Sequence, residues 1–167
     1  MRKLLIALTG AALIAGAGAL VVPAAAATTC TGALSGSVSG PVTVPSGHLC
    51  TLDHANVSGA VNVNPGGRLF IKDSLIDGSV NSDRAGTQTN DPDFSILICD
   101  GTITGSVTVT RATSNVLVGD EEFSCDAGNN IHGSVTLNSN AVGPELIVNT
   151  IGGSVTVSSN QGQCKSL

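Results

Sequence analysis

A short glycine-centred phrase recurs along this chain of 167 residues and constrains its fold more than any other feature. The clearest copy is ITGSVTV at 103–109, and close variants are IHGSVTL at 131–137 and IGGSVTV at 151–157. The phrase glycines follow one another at intervals of 19, 19, 27, 28 and 20 residues: Gly40, Gly59, Gly78, Gly105, Gly133 and Gly153. A repeat near 20 residues is typical of proteins in which successive units stack and bury one continuous core.

Apolar and polar residues alternate after each phrase glycine, as in a β-strand with one buried face. A valine stands two residues after every glycine, and all but the third repeat, which has Ser82, carry a second apolar residue two positions later. Two more short apolar patches accompany each repeat, and helical periodicity is absent after residue 27. The sequence predicts an all-β fold, a single-stranded right-handed parallel β-helix (β-solenoid) of about six coils with three short strands per coil.

The first 27 residues have the features of a secretory signal peptide. Arg2 and Lys3 precede a long apolar run and an alanine-rich cleavage site. We therefore expect residues 28–167 to form one mature domain, extracellular or at the cell surface, with no membrane insertion after cleavage. This domain has twelve acidic and five basic residues, a net charge of −7, and no basic cluster, which argues against a nucleic-acid partner.

Five cysteines follow the predicted cleavage site, in an export context where disulfides persist. A bond between Cys30 and Cys50 would tie an N-terminal cap to the first coil and contribute roughly 3 kcal/mol. Cys99 and Cys125 fall at similar phases of neighbouring repeats and are the second predicted pair. Cys164 is then left over, either free or intermolecular, and other pairings remain open.

The two long intervals contain loops at 82–94 and 119–130 that we expect to project from the coils. Their carboxylates are the candidate recognition residues: Asp91, Asp93, Asp120, Glu121, Glu122 and Asp126. Oxygen ligands at close spacing suit calcium, but no calcium-binding motif is present and solvated loop tips explain the acids equally well. The sequence predicts no cofactor, with calcium in these loops as the open alternative.

Secreted β-helices include polysaccharide lyases and glycoside hydrolases, so an enzyme is the main competing interpretation. Such sites need clustered carboxylates with a basic residue at hand. The basic residues are scattered along this sequence, and the chain lacks the Trp and Tyr that line sugar subsites. The histidines have no nucleophile at a recognisable spacing, and we predict no catalytic, cofactor-binding or metal residues.

A row of short polar side chains is predicted on the outer surface, three residues after each phrase glycine. Its members are Thr43, Asn62, Asn81, Thr108, Thr136 and Thr156. A flat face of this kind is similar to those of ice-binding solenoids and of some glycan-contacting proteins. Threonine also favours strands, so the row has an ordinary structural explanation as well.

The segments CTL at 50–52, NVSGAVNVNPGGRL at 56–69 and SLIDGSV at 74–80 resemble a group of small exported bacterial repeat proteins. The coils of that group read roughly C-x-L followed by V-x-G-x-V-x-V-x-x-G-x-L. The resemblance covers nearly the whole mature chain, and it implies a fold but no activity. The repeats are also superficially similar to bactofilins, polymer-forming β-helices, which lack a signal peptide and these cysteines.

Together these features indicate a secreted, non-catalytic structural or adhesive protein of the extracellular space or cell envelope. Its expected partners are a polysaccharide or another envelope component, contacted by the acidic loops or the polar row. Unpaired strands at the ends of the coils predict self-association. A polysaccharide-acting enzyme and an ice-binding or surface-active protein are the alternatives.

Overall fold

The computed structural model describes residues 25–86, 94–119, 125 and 127–162, together with a strand at 165–166. Every regular element in these ranges is a β-strand, and the strands pair in parallel. None of the described residues belongs to a helix long and apolar enough to cross a membrane. The strands are β1 Thr28–Thr29, β2 Ala33–Val38, β3 Val42–Val44, β4 Leu49–Val57, β5 Val61–Val63, β6 Arg68–Lys72, β7 Leu75–Ile76, β8 Val80–Asp83, β9 Ile96–Cys99, β10 Thr102–Ile103, β11 Val107–Thr110, β12 Val116–Val118, β13 Asn129–Ile131, β14 Val135–Asn138, β15 Glu145–Leu146, β16 Asn149–Ile151, β17 Val155–Ser158 and β18 Lys165–Ser166.

The six strands of the glycine-centred phrase, together with β1, form one parallel sheet of seven strands, in the order β1-β3-β5-β8-β11-β14-β17. Neighbours in this sheet come from successive repeats, so each strand lies beside its own copies. The first valines of the phrases are therefore in register, in the order Val42, Val61, Val80, Val107, Val135 and Val155. The alternation in the sequence predicts these strands and their shared buried face.

The other strands form a second parallel sheet of eleven strands, in the order β16-β13-β10-β7-β4-β6-β9-β12-β15-β18, with β2 also paired to β4. Strand β4 lies at its centre, because its first half pairs with β6 and its second half with β7. The nine residues of β4, LCTLDHANV, include no glycine or proline to end the strand. The two apolar patches that accompany the glycine-centred phrase in each repeat therefore belong to one sheet.

The predicted single-stranded right-handed parallel β-helix of about six coils is therefore wrong, although the all-β class and the parallel pairing are observed. Its three separate strands per coil do not match a structure of two sheets. Between the two other apolar patches of a repeat the chain has a left-handed residue, such as His54, Asp73 or Asp100, with φ between 46° and 52°. His54 lies within the continuous strand β4, whereas Asp73 and Asp100 separate β6 from β7 and β9 from β10. Because β4 pairs with both β6 and β7, the two patches belong to one sheet.

The main core is aliphatic and contains inward residues of both sheets. Val107 and Val109 of β11 are fully buried, as are Ile96 and Ile98 of β9. Burial of one such side chain stabilises the fold by roughly 1.5–3 kcal/mol relative to its exposure. A second cluster consists of Phe94, Leu97, Cys99, Leu117 and Cys125. Leu97 and Cys99 of β9 and Leu117 of β12 alternate with the main-core residues of those strands. They therefore pack in this second cluster with Phe94 and Cys125 of the two long loops.

The recurring Gly-Ser pair is explained by close stacking at one corner of the repeats. A Cβ atom at Gly78 would lie 2.7 Å from the backbone of Gly59 and Ala60 one repeat earlier, so only glycine fits. The serines form a ladder, in which the amide of Ser106 donates to Ser79 Oγ at 3.0 Å. The amides of Ser134 and Ser154 repeat this contact at 3.0 and 3.1 Å.

Two disulfides join parts of the chain that are about one repeat apart. Cys30 is bonded to Cys50 and Cys99 to Cys125, the two pairs that the cysteine spacing favoured. The first attaches the segment preceding β2 to β4, and the second attaches the second long loop to β9.

Candidate binding surface

The predicted polar row lies on the outer face of the seven-stranded sheet. Because side chains alternate along each strand, the residue between two buried valines points away from the core. The strand register places its members in one line: Thr43, Asn62, Asn81, Thr108, Thr136 and Thr156. Thr29 of β1 extends this line by one residue, since it lies opposite Thr43. We call these seven residues the polar row.

The polar row is regular, accessible and uncharged. Thr29, Asn81 and Thr156 are exposed and the other members are half-buried. The Asn81 side-chain amide donates to Asn62 Oδ1 at 3.2 Å, which fixes the orientation of two neighbouring members. Neighbouring strands lie about 4.8 Å apart, and this spacing sets the distance between successive members of the polar row. The row therefore offers hydroxyl and amide groups at fixed intervals.

A charged group borders the polar row two residues further along the strands. Asp83 accepts two hydrogen bonds from the Arg111 guanidinium, at 2.8 and 2.6 Å, and one from the Thr110 hydroxyl at 2.8 Å. Arg84 lies 3.3 Å from the same carboxylate. The hydrogen bonds from Arg111 and then Thr110 lower the pKa of Asp83 to about 2.

Sequence reasoning missed this ion pair, because it treated the arginines as scattered and left them without acidic partners. Arg111 and Asp83 are 28 residues apart, one long repeat, and the register of β8 with β11 brings them together. The spacing alone could have revealed the contact once the parallel register was known. The surface beside the polar row therefore carries the Asp83 carboxylate and two cations, the guanidinium groups of Arg111 and Arg84.

The six candidate carboxylates of the long loops, at positions 91, 93, 120, 121, 122 and 126, lie outside the described residues. Calcium binding there stays a prediction. At the end of the first loop, fully buried Arg68 donates from Nε to the Phe94 carbonyl at 2.8 Å. Its guanidinium lies 4.6 Å from the centre of the Phe94 ring, and Phe70 contacts that ring edge-on at 6.1 Å. This end of the loop is thus anchored by a buried cation.

One group among the described residues has the composition of a metal site. Ligand atoms of Asp53, His54 and Asp73 lie within 4.8 Å of one another at the surface. His54 Nδ1 is 2.7 Å from Asp53 Oδ1, and Nε2 is 3.9 Å from Asp73 Oδ2. A hydrogen bond between the exposed His54 and Asp53 side chains explains this arrangement, and such surface contacts stabilise proteins little. The sequence predicted no catalytic or metal-binding role for His54, and the described residues show no second feature that points to an ion.

No protein-family model, curated protein or solved structure matches this chain. The resemblance to small exported repeat proteins and to bactofilins stays a prediction. The polar row is therefore the one predicted recognition surface whose described residues come together in space.

Proposed function

We propose that this chain is an extracellular, non-catalytic structural or adhesive protein that contacts neutral polysaccharide of the cell envelope through its polar row. The observation that carries the proposal is the register of seven hydroxyl and amide side chains along one outer face. The two disulfides support an oxidising location outside the cytosol.

The chemistry of the polar row suits a long neutral ligand. Sugar hydroxyls donate and accept hydrogen bonds, as threonine hydroxyls and asparagine amides do. The side chains are short and sit on paired strands, so binding would cost little conformational entropy per contact. The chain has no Trp or Tyr for stacking on sugar rings, so affinity has to come from many weak contacts along an extended polymer.

A binding assay with insoluble cell-wall and plant polysaccharides tests the proposal. The key variant is Thr108→Val with Thr136→Val, which removes two central hydroxyls and keeps the side-chain shape and strand preference. Its matched control is Thr102→Val with Thr150→Val, on β10 and β16 of the other sheet. We expect binding by the wild type and the control, and a loss of about tenfold in affinity for the key variant.

The same samples are assayed for new reducing ends. Binding that the key variant retains would refute the polar row as the contact surface. New reducing ends would refute the non-catalytic assignment and favour the polysaccharide-acting enzyme.

A second candidate function is ice binding or another surface activity. It is favoured by Thr108, Thr136 and Thr156, which give three successive strands an uninterrupted line of threonines. Thermal hysteresis in the wild type, lost in Thr108→Val with Thr136→Val, would favour this candidate. A freezing point equal to the melting point would eliminate it.

A further inference from the structure

Among the described residues, the C-terminal end of the stacked repeats is open. Strand β17 is the last strand of the seven-stranded sheet, and no described strand pairs with its outer edge. Val155 is 49 % exposed and Val157 38 % exposed, whereas Val135 and Leu137, their partners on β14, are fully buried. Within the part of the chain that the structure describes, the apolar column of the core therefore runs to this end uncovered.

The N-terminal end is different. Here β2 pairs with β4, and Leu34 and Val38 pack against the core. Cys30, next to them in the chain, is buried and bonded to Cys50. Among the described residues, no large apolar side chain is exposed at this end. Four are exposed near the C-terminal end: Val142, Val148, Val155 and Val157.

The segment that includes β16 and β17 at this end is also free of charge, whereas β18, the last strand of the other sheet at the same end, carries Lys165. We call residues 148–162 the C-terminal face, and their sequence is VNTIGGSVTVSSNQG. It has no acidic, basic or histidine residue, in a chain whose net charge is −5. Two copies of an acidic chain repel each other over most of their surface, but not where these faces meet. A neutral surface is complementary to itself, as a two-fold interface requires.

We propose that the C-terminal face binds the same face of a second copy of this chain, so that β17 of each copy pairs antiparallel with β17 of the other. This pairing would satisfy the free backbone groups of both edges and cover Val155 and Val157 of both copies. The two-fold contact covers the exposed apolar end of each copy and therefore stops at a dimer.

The size of the C-terminal face predicts the strength of the dimer. It has 15 residues, fewer than the 20–30 residues per side of a standard stable interface. The dimer should therefore be reversible, with a dissociation constant on the order of micromolar. This inference does not depend on polysaccharide binding, because Thr156 is the only member of the polar row in the C-terminal face and the other six lie on strands further along the sheet.

Sedimentation over a range of concentrations around that value tests the proposal. All samples carry Cys164→Ser, so that the fifth cysteine cannot form a covalent dimer. Val155→Lys places two like charges at the interface and should raise the dissociation constant by about tenfold or more. The matched control is Ser37→Lys, an exposed position on β2 at the N-terminal end, and it should dimerise like the parent.

Hydrogen exchange of the parent gives a second readout that needs no interface variant. Exchange at residues 155–158 should slow as concentration rises, while exchange at 42–44 stays constant. A parent that is monomeric at every concentration would overturn the proposal. A dimer unaffected by Val155→Lys would overturn it too, and so would assemblies larger than dimers that Ser37→Lys disrupts, since those would indicate head-to-tail contacts.

Discussion

Buried asparagines connect the later repeats residue by residue. Asn140 is fully buried, and its Oδ1 accepts a hydrogen bond from the Ala112 amide at 2.9 Å. Its Nδ2 donates to Asn160 Oδ1 at 2.9 Å, and Asn160 in turn donates to the Leu137 carbonyl at 2.9 Å. Each side chain therefore satisfies backbone groups that would otherwise be buried without a partner.

Replacement of Asn140 tests this ladder. Asn140→Ala removes the acceptor for the Ala112 amide and should lower the free energy of unfolding by about 1–3 kcal/mol. The control Asn138→Ala alters a half-buried residue whose Oδ1 accepts from the hydroxyls of Ser139 and Ser158, and it should cost about 0.5 kcal/mol or less. Chemical denaturation measures both, and equal losses would contradict the assignment.

The sequence could not have predicted the role of Asn140. Asparagine between apolar patches is typical of turns, and nothing local distinguishes a buried ladder from a solvated corner. The partners of Asn140 are 28 residues before it and 20 residues after it, so they become visible only when the register is known. The polar row was predictable because it depends on alternation within a single strand.

The pKa of the Asp83 carboxyl should lie well below that of an ordinary aspartate. Its pKa falls from 3.8 to about 2, chiefly because of the hydrogen bonds from Arg111. The folded form favours the carboxylate, so the stabilisation is complete above about pH 4 and disappears as the pH falls towards about 2. Since the side chain is 37 % exposed, solvent screens the effect on stability, and the carboxyl titration itself is the better measurement.

Nuclear magnetic resonance of the Asp83 carboxyl carbon follows this titration. Arg111→Gln should raise the midpoint towards 3.8, because the largest contribution to the lowered pKa is lost. Arg84→Gln is the control and should raise it less, since Arg84 makes the smallest of the contributions that lower it. A larger rise of the Asp83 midpoint in Arg84→Gln than in Arg111→Gln would contradict Arg111 as the main hydrogen-bond partner of Asp83.

At the scale of elements, the Gly-Ser corner determines how closely the strands of successive repeats approach. Gly78→Ala would place a Cβ atom 2.7 Å from the backbone of the preceding repeat, and backbone cannot move aside as a side chain can. We expect a loss of about 1–3 kcal/mol in the free energy of unfolding. Gly32→Ala is the matched control, because a Cβ there meets nothing within 4 Å. Thermal unfolding that is the same for both variants would show that the corner is not closely packed.

Strand β4 shows why the sheets were harder to predict than the strands. The alternation in the phrase predicts six strands of the seven-stranded sheet, each of which follows a phrase glycine: β3, β5, β8, β11, β14 and β17. The sequence LCTLDHANV carries two apolar patches around polar residues, which favoured two strands separated by a turn. In the structure His54 alone has a left-handed backbone, and pairing continues on both sides of it. Whether polar residues end a strand or only bend it depends on the neighbouring strands.

At the scale of the whole molecule, the two disulfides stabilise different parts of a fold that is held mainly by contacts between successive repeats. The Cys30–Cys50 bond spans 20 residues at the covered N-terminal end, and the Cys99–Cys125 bond spans 26 residues beside the second apolar cluster. The chain-entropy model assigns roughly 3 kcal/mol to each, because the cost of closing a loop grows slowly with its length.

Paired serine variants separate the two contributions. Cys30→Ser with Cys50→Ser and Cys99→Ser with Cys125→Ser should each lower the free energy of unfolding by roughly 3 kcal/mol in denaturant titrations. Cys164→Ser in every sample prevents exchange with the fifth cysteine, and a reductant should destabilise the parent more than either paired variant. A loss below about 1 kcal/mol for one pair would mean that contacts between repeats already restrict that loop in the unfolded chain. The repeats would then form local structure before the disulfide that spans them.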